Sequence, residues 1–212
     1  MKTKYYFLSL CLMGTCRFAG AQEKVSWKPK YGVKINYVTS SLHTTQKYAT
    51  TFNAKSLSSV QAGAFVELPI IGGLSVQPEV LIGGQGGQSK YANENVWSKE
   101  TLLALNIPVN FIYNVNIGVG QVYAGAGPYL GYALSGKYDG ILGEYDLKID
   151  DESGDFKKQD YGINFSWGFK SNYGIGLSMA YQLGLRNVSP NTSKEVKNGV
   201  FSVGLSYSLH KK

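Results

Sequence analysis

The stretch that decides the fold is DYGINFSWGFKSNYGIGLSMAYQLGLRN, Asp160 to Asn187. From Tyr161 every second residue is large and apolar (Ile163, Phe165, Trp167, Phe169). After Lys170-Ser171-Asn172 the rhythm resumes through Tyr173, Ile175, Leu177, Met179, Tyr181, Leu183 and Leu185. Between them lie small or polar residues: Gly162, Asn164, Ser166, Gly168, Gly174, Gly176, Ser178, Ala180, Gln182 and Gly184. A period of two is the signature of a β-strand, so this is a hairpin with one greasy face and one small, polar face.

The same period recurs along the chain, and no segment shows helical spacing. Eight strands are expected, at about 30–39, 58–68, 74–85, 100–113, 119–136, 159–170, 173–188 and 199–209. Each is near or above the roughly 9–11 residues that a tilted strand needs to cross a bilayer. The apolar rows carry no charge, for example Tyr31, Val33, Ile35 and Tyr37, or Leu103, Leu105, Ile107, Val109, Phe111 and Tyr113. A Lys or Arg facing lipid at the midplane would cost roughly 2–4 kcal/mol, so charge-free rows are what lipid exposure selects.

The connections alternate in length. Short turns are expected at PIIGG, NVNIG and SN, and long polar loops at about 40–57, 86–98, 137–158 and 189–198. That alternation is the pattern of an outer-membrane barrel with turns in the periplasm and loops outside. A soluble barrel would instead bury its greasy face and show a Lys/Glu-rich exterior. Here the second face is Gly, Ser, Asn, Ala and Gln, too poor in charge to solubilise a surface and small enough to fill a narrow lumen. The expected fold is therefore all-β: an eight-stranded antiparallel up-and-down transmembrane β-barrel, closed because lipid cannot satisfy an open sheet edge.

Composition agrees with this reading. The 212 residues include 26 Gly and 16 Tyr but only 17% charged residues, outside the range of ordinary soluble chains. Tyr161 and Tyr132 are expected near the outer boundary, and Phe169, Tyr173, Tyr113 and Tyr207 near the inner one, as aromatic girdles. Pro78, Pro108 and Pro128 fall inside strands, where each removes a ladder donor, and local bulges are expected there.

Residues 1–21 read as a signal peptide, with basic Lys2 and Lys4, an apolar YYFLSLCLMGTC and small residues Ala19 to Ala21 before Gln22. Residues 22–212 are then the barrel domain. Acylation at Cys16 is the rival reading, disfavoured by Thr15 before it. Both cysteines, Cys11 and Cys16, would leave with the signal peptide, removing disulfides and thiol chemistry. The remaining 18 basic and 14 acidic residues give a charge of about +4, too mild and scattered for nucleic acid.

Inward parity places Lys34, Glu67, Glu79, Asp160, Lys170 and Arg186 in the lumen with Gln61, Gln77, Asn106, Asn110, Asn164 and Gln182. Estimated heights pair Lys34 with Glu79 near the middle, Glu67 with Lys170 near the periplasmic end and Asp160 with Arg186 near the outer end. Buried charges need such partners, so an ionic plug is expected rather than an open pore. His43 and His210 fall at opposite ends and cannot share a metal or a proton. His43 has Ser40, Ser41 and Thr44 nearby, as any Ser/Thr-rich loop would provide. GAGPYLG (Gly125 to Gly131) lacks the spacing and helix of a dinucleotide fingerprint, and GGQGG (Gly83 to Gly87) lacks the Lys-Ser/Thr of a phosphate loop. The acidic run Asp150, Asp151, Glu152 and Asp155 has oxygen ligands suited to calcium, but not EF-hand spacing, and reads as a solvated loop tip.

LSVQPEVLIGGQG (Leu74 to Gly86), LNIPVNFIY (Leu105 to Tyr113), YAGAGPYLGY (Tyr123 to Tyr132), DYGINFSWGF (Asp160 to Phe169) and VFSVGLSYSL (Val200 to Leu209) together resemble the PorT-like outer-membrane β-barrel family of Bacteroidetes-type bacteria. The resemblance spans essentially the whole chain after residue 21, and it implies an eight-stranded outer-membrane barrel. The member that names the family is associated with protein secretion and maturation at the cell surface. HKK after Leu209 departs from the apolar ending common among barrel chains.

These observations lead to an expected non-enzymatic outer-membrane protein that needs no cofactor. It would have a lumen plugged by polar side chains and outer loops serving a surface interaction or a secretion or assembly accessory role. Outer-membrane lipid is the expected partner, with surface or periplasmic protein partners of unknown identity. A narrow channel for small solutes and a lipid-modifying barrel enzyme are the alternatives.

Overall fold

The computed structural model describes residues 28–46, 52–91, 97–140, 143–189 and 194–209. The expected signal peptide, Cys16, His210 and the terminal lysines lie outside them. Nine strands occur among the described residues: β1 (Lys30–Gln46), β2 (Phe52–Ile71), β3 (Leu74–Tyr91), β4 (Ser98–Asn116), β5 (Gly120–Gly140), β6 (Gly143–Asp146), β7 (Gln159–Ser171), β8 (Ile175–Gly184) and β9 (Lys194–Ser208). This is one more than the eight expected. The addition, β6, is a four-residue strand that pairs only with the end of β5.

The eight long strands pair antiparallel in chain order, β5 joining β7 across the β6 excursion, and β9 returns to pair with β1. Pairing thus runs round a closed circle, and neither β1 nor β9 presents a free edge. The circle is closed along the run from Gly32↔Ser208 to Gln46↔Lys194.

Alternation fixes what faces each way. On β1, Val33 and Ile35 are 49% and 55% exposed while the alternating Lys34 and Asn36 are 9% and 4% exposed. On β7, Tyr161, Ile163, Phe165 and Trp167 face out, and Gly162, Asn164 and Ser166 are buried. The apolar residues are the outside of the ring and the polar ones its interior, the reverse of a water-soluble protein.

Three short turns close one end, and β2 and β3 are joined by only Gly72 and Gly73, at φ 55° and 87°. A Cβ is strained at such angles, which is why glycine stands there. At the other end the strands run further than the sequence suggested. Within the expected loops 40–57, 86–98 and 189–198, residues 40–46, 52–57, 86–91, 98 and 194–198 are strand, as the Ser40↔Leu57, Gln88↔Lys99 and Thr45↔Glu195 partners show. Polar residues do not end a ladder whose backbone bonds can continue into water. The hairpin from β7 to β8 is shorter than expected, because β8 stops at Gly184 and Leu185 to Val188 leave the sheet.

The bulges expected at prolines are not found there. Pairing of β3 with β4 halts after Pro78↔Val109 and resumes at Leu81↔Asn106 in the same register, and β4 with β5 halts between Pro108↔Tyr129 and Phe111↔Ala126. Pro128 sits in unbroken pairing with Ile163. Rungs are skipped where a proline cannot donate, without displacing the strands. The register shifts fall at Ser56/Gln61, Pro69/Ile71 and Leu103/Ala104, so a strand is displaced beside Pro69 but at none of Pro78, Pro108 and Pro128.

Inward glycines make room for inward aromatics. A Cβ on Gly32 would strike the Phe65 ring, one on Gly168 would meet Tyr123 Cε1 at 2.9 Å, and one on Gly162 would meet Tyr129 Cε1 at 2.8 Å. Phe65, Tyr123 and Tyr129, each 4–6% exposed, are laid across neighbouring strands and fill the interior.

Candidate functional site: the polar interior

The inward residues of β4 mark height inside the ring: Leu102 at the loop end, then Asn106, Asn110, and Asn114 at the turn end. The deepest charges gather around the last two. Lys170 Nζ on β7 donates to Glu67 Oε2 on β2 at 2.7 Å, and reaches Gln77 Oε1 at 3.3 Å and Asn114 Oδ1 at 3.4 Å. Its ammonium also lies 4.3 Å from the centre of the Tyr123 ring, a cation–π geometry. Glu67 Oε1 accepts from Ser75 Oγ at 3.3 Å and Asn114 Nδ2 at 3.2 Å, with Lys30 Nζ 3.8 Å away.

A second group joins directly onto the first. Lys34 Nζ donates to Glu79 Oε2 at 2.7 Å, and the two side chains are only 7% and 3% exposed. Glu79 Oε1 accepts from Gln77 Nε2 at 2.8 Å and Asn110 Nδ2 at 3.3 Å, while Asn164 Nδ2 donates to Asn110 Oδ1 at 2.7 Å. Gln77 therefore bridges both ion pairs, accepting from Lys170 and donating to Glu79. In the circle of eight, β2 and β7 stand opposite each other, so the Lys170 to Glu67 bond crosses the full width of the ring.

At the loop end the expected pairing of Asp160 with Arg186 does not form. Asp160 Oδ2 instead accepts from Tyr129 Oη at 2.9 Å. Arg186 donates from Nη1 to Gln159 O at 3.1 Å, lies 3.8 Å from Asp151 Oδ1 and sits over the Tyr161 ring at 6.0 Å. The reason is where β8 ends. Beyond Gly184 the inward and outward alternation is lost, and Arg186 turns toward outward-facing Tyr161 rather than into the interior.

Above this level the chain after β6 folds back. Leu147, Phe156, Val188 and Val196 form an apolar cluster with Leu42, Leu102 and Tyr138. It is held by backbone bonds from Leu147 N to Gly136 O, Lys157 N to Val188 O and Val188 N to Val196 O, each 2.9 Å. The acidic run lies at its tip. Asp150 Oδ1 accepts from the backbone N–H of Ser153 and of Glu152, both at 3.0 Å, and these two donors hold its carboxyl below the usual carboxylate range. Asp155 and Asp151 likewise accept from the backbone N–H of Lys148 and Lys158.

His43 lies in β1 opposite Lys197, not in a loop as expected. Ser40 is buried, and its Oγ accepts from Gly86 N and donates to Gly86 O, each at 2.9 Å. Among the described residues no three His, Cys, Asp or Glu side chains come close enough to hold a metal.

Sequence reading missed Tyr123, Tyr129, Ser75 and Asn114 as interior residues. The signal was present, since Tyr123 and Tyr129 share the parity of Gly125, Gly127 and Gly131, and large aromatics on a glycine-rich face need glycines opposite them.

The family model of the outer membrane protein beta-barrel domain matches residues 19–189. Among solved structures, the chain is similar to the outer membrane protein OprG from Pseudomonas aeruginosa, with 13% identity over 86% of this chain and 97% of that one and a TM-score of 0.49. It is also similar to Ail, the attachment invasion locus protein of Yersinia pestis, solved in complex with the heparin analogue sucrose octasulfate (12% identity, 86% and 99% of the two chains, TM-score 0.44). Neisserial surface protein A is a third, with 14% identity, 84% and 96% coverage and a TM-score of 0.43. No curated protein sequence matches the chain.

Proposed function

The chain belongs to the outer membrane protein β-barrel domain family, and on that premise we propose a non-enzymatic surface protein whose barrel is closed by its own side chains. In this reading residues 1–21 are a cleaved signal peptide and the eight long strands span the outer membrane. The three short turns face the periplasm and the loop end faces outward. The protein's work is then done by the outer loops, as contact with a surface partner or as an accessory to secretion or assembly, the task the PorT-like resemblance suggests. Loops on a rigid scaffold are where binding residues concentrate.

The observation that carries the closure is the connected network from Lys170 and Glu67 on opposite strands through Gln77 to Glu79 and Lys34. Carboxylates and ammoniums buried this deeply hold one geometry because each loses its partner if the other moves. A continuous water path would need both ion pairs to part. Purified protein in planar bilayers should therefore show no steady conductance, and Glu67→Ala, Lys170→Ala, Glu79→Ala and Lys34→Ala together should introduce one. Steady openings of the unaltered protein would favour the narrow-channel reading instead. For the contact function, photo-crosslinkers at exposed Tyr145 and Glu152 should capture a protein partner from intact cells, whereas one at outward-facing Leu177 should capture lipid only.

A further inference from the structure

The outward face of β2, β3 and β4 changes character toward its loop end. On β4 the outward row Tyr113, Phe111, Val109, Ile107, Leu105 and Leu103 is wholly apolar, and the next outward positions are Thr101, Lys99 and, just before the strand, Trp97. Ser98 is buried and its Oγ accepts from Tyr138 Oη, while Lys99 and Trp97 on either side are exposed, so the alternation holds to this height. The pairs Gln88↔Lys99 and Lys55↔Gln88 put Lys55 in one row with Lys99, and Ser89↔Ser98 brings Lys90 beside Trp97 on the same face.

Charge is concentrated there. Lys55 Nζ and Lys90 Nζ both lie over the Trp97 ring, 5.9 and 5.6 Å from its centre. Two ammoniums at one indole repel each other, and an exposed cation–π contact offsets little of that. Among the described residues none of Lys55, Lys90 and Lys99 makes an ion pair, whereas Lys30, Lys34, Lys137 and Lys170 do. Asp139 stands opposite Lys99 on β5 without forming one. Glu94 is the one acidic residue in the sequence between Lys90 and Lys99, so these three lysines with Glu94 carry a net charge of +2.

Height selects the occupant. At about 3.3 Å per residue and a tilt of about 40°, the row from Leu103 to Tyr113 rises about 25 Å, the height of the apolar band of a membrane barrel. Lys99 and Trp97 then stand about 10–15 Å above its upper edge, and a lysine stem lying along the wall brings its ammonium down toward the headgroups. An indole is at home at that boundary. We propose that Lys55, Lys90, Lys99 and Trp97 form a binding site for a phosphate-bearing lipid headgroup of the outer leaflet. The phosphate supplies the missing counter-charge and accepts from the three ammoniums, while its acyl chains lie on the apolar row below. A soluble anion would gain the first contact but not the second. The site rests on the membrane-spanning reading, with the loop end outward, and it names one lipid contact within that reading.

The test is native mass spectrometry of the full chain folded in a neutral detergent and titrated with phosphatidic acid, with diacylglycerol and glycerol 3-phosphate as the lipid without phosphate and the phosphate without lipid. One retained phosphatidic acid is expected, with diacylglycerol not retained and glycerol 3-phosphate unable to displace it. Lys55→Gln, Lys90→Gln and Lys99→Gln together should weaken retention at least about tenfold. The charge-matched Lys148→Gln, Lys157→Gln and Lys158→Gln at the loop end should leave it unchanged. Equal loss in both triple variants, retention of diacylglycerol, displacement by glycerol 3-phosphate, or no retention at all would each overturn the site. Should the first triple variant fail to fold, Lys55→Gln with Lys90→Gln replaces it, with a loss of at least about fivefold expected and no loss rejecting the site. Insertion of the unaltered protein into phosphatidylcholine vesicles tests the spanning reading separately: a chain that inserts yet shows no preference for phosphatidic acid refutes the headgroup site alone.

Discussion

Removing Lys170 tests whether the bond across the ring is a structural strap. At 2.7 Å from Glu67, two unit charges attract by about 6 kcal/mol at an effective dielectric of about 20. Desolvation offsets several kcal/mol per ion, but breaking one side of a buried pair still costs roughly 3–5 kcal/mol because the survivor is left unpaired. Lys170→Met keeps the aliphatic stem and leaves Glu67 with Lys30, which is 3.8 Å away and 30% exposed, a weaker substitute. The expected loss is about 3 kcal/mol or more. Glu67→Gln should cost less, since Lys170 keeps Gln77, Asn114 and the Tyr123 ring. The double variant should then be well short of additive, with a coupling energy of about 2 kcal/mol or more. Urea titration of protein folded into lipid vesicles, read by the heat-dependent gel shift of folded barrels, measures all four corners of the cycle. Coupling within about 0.5 kcal/mol of zero would refute the strap, because it would equate this pair with an exposed one.

Three further outcomes follow from the same geometry. Phe165, 42% exposed on the outward face of β7 and midway between Tyr161 and Phe169, should lose about 2–4 kcal/mol as Phe165→Arg near the midplane, whereas Glu152→Lys at the exposed loop tip should stay within about 0.5 kcal/mol; equal effects in the urea assay would contradict the lipid-facing assignment. Gly32→Ala drives a Cβ into the Phe65 ring and, at 2.7 Å, toward Tyr207 O. It should cost about 1–3 kcal/mol, and Phe65→Leu should recover only the side-chain part; full recovery or none would contradict the packing. Asp150, its carboxyl lowered by the N–H groups of Ser153 and Glu152, should order the loop fully above the ordinary carboxylate range and lose that order as pH falls through its depressed value. Amide exchange at Glu152 and Ser153 that is unchanged by acid would contradict this.

How much was legible depended on whether a residue's environment follows strand parity. Lys34, Glu67, Glu79 and Lys170 lie on regular stretches, and counting by twos put them inside at heights close enough to meet. Arg186 lies two residues past the end of β8, and there parity carries no information. Pro78, Pro108 and Pro128 announced a missing donor, but sequence does not say whether a ladder will bulge or simply skip a rung. The paired extensions beyond Thr39 and Gln85 were hidden by their own composition. Strands with water on both faces lose the apolar rhythm by which strands are recognised. Tyr129 and its bond to Asp160 depend on which glycines stand opposite, a matter of register between strands rather than of order within one.

The pairing of β1 with β9 constrains how the molecule is made. The first strand delivered finds its final neighbour only when the last has arrived, at Gly32↔Ser208. Contacts this distant in sequence are the slowest to form, and until then the chain carries two unsatisfied edges able to template association with other chains. Biogenesis thus has a natural dependence on a holding factor, and its critical interval ends with the final hairpin. A lesion in the last strand should be tolerated least, since it leaves a nearly complete sheet with nowhere to close.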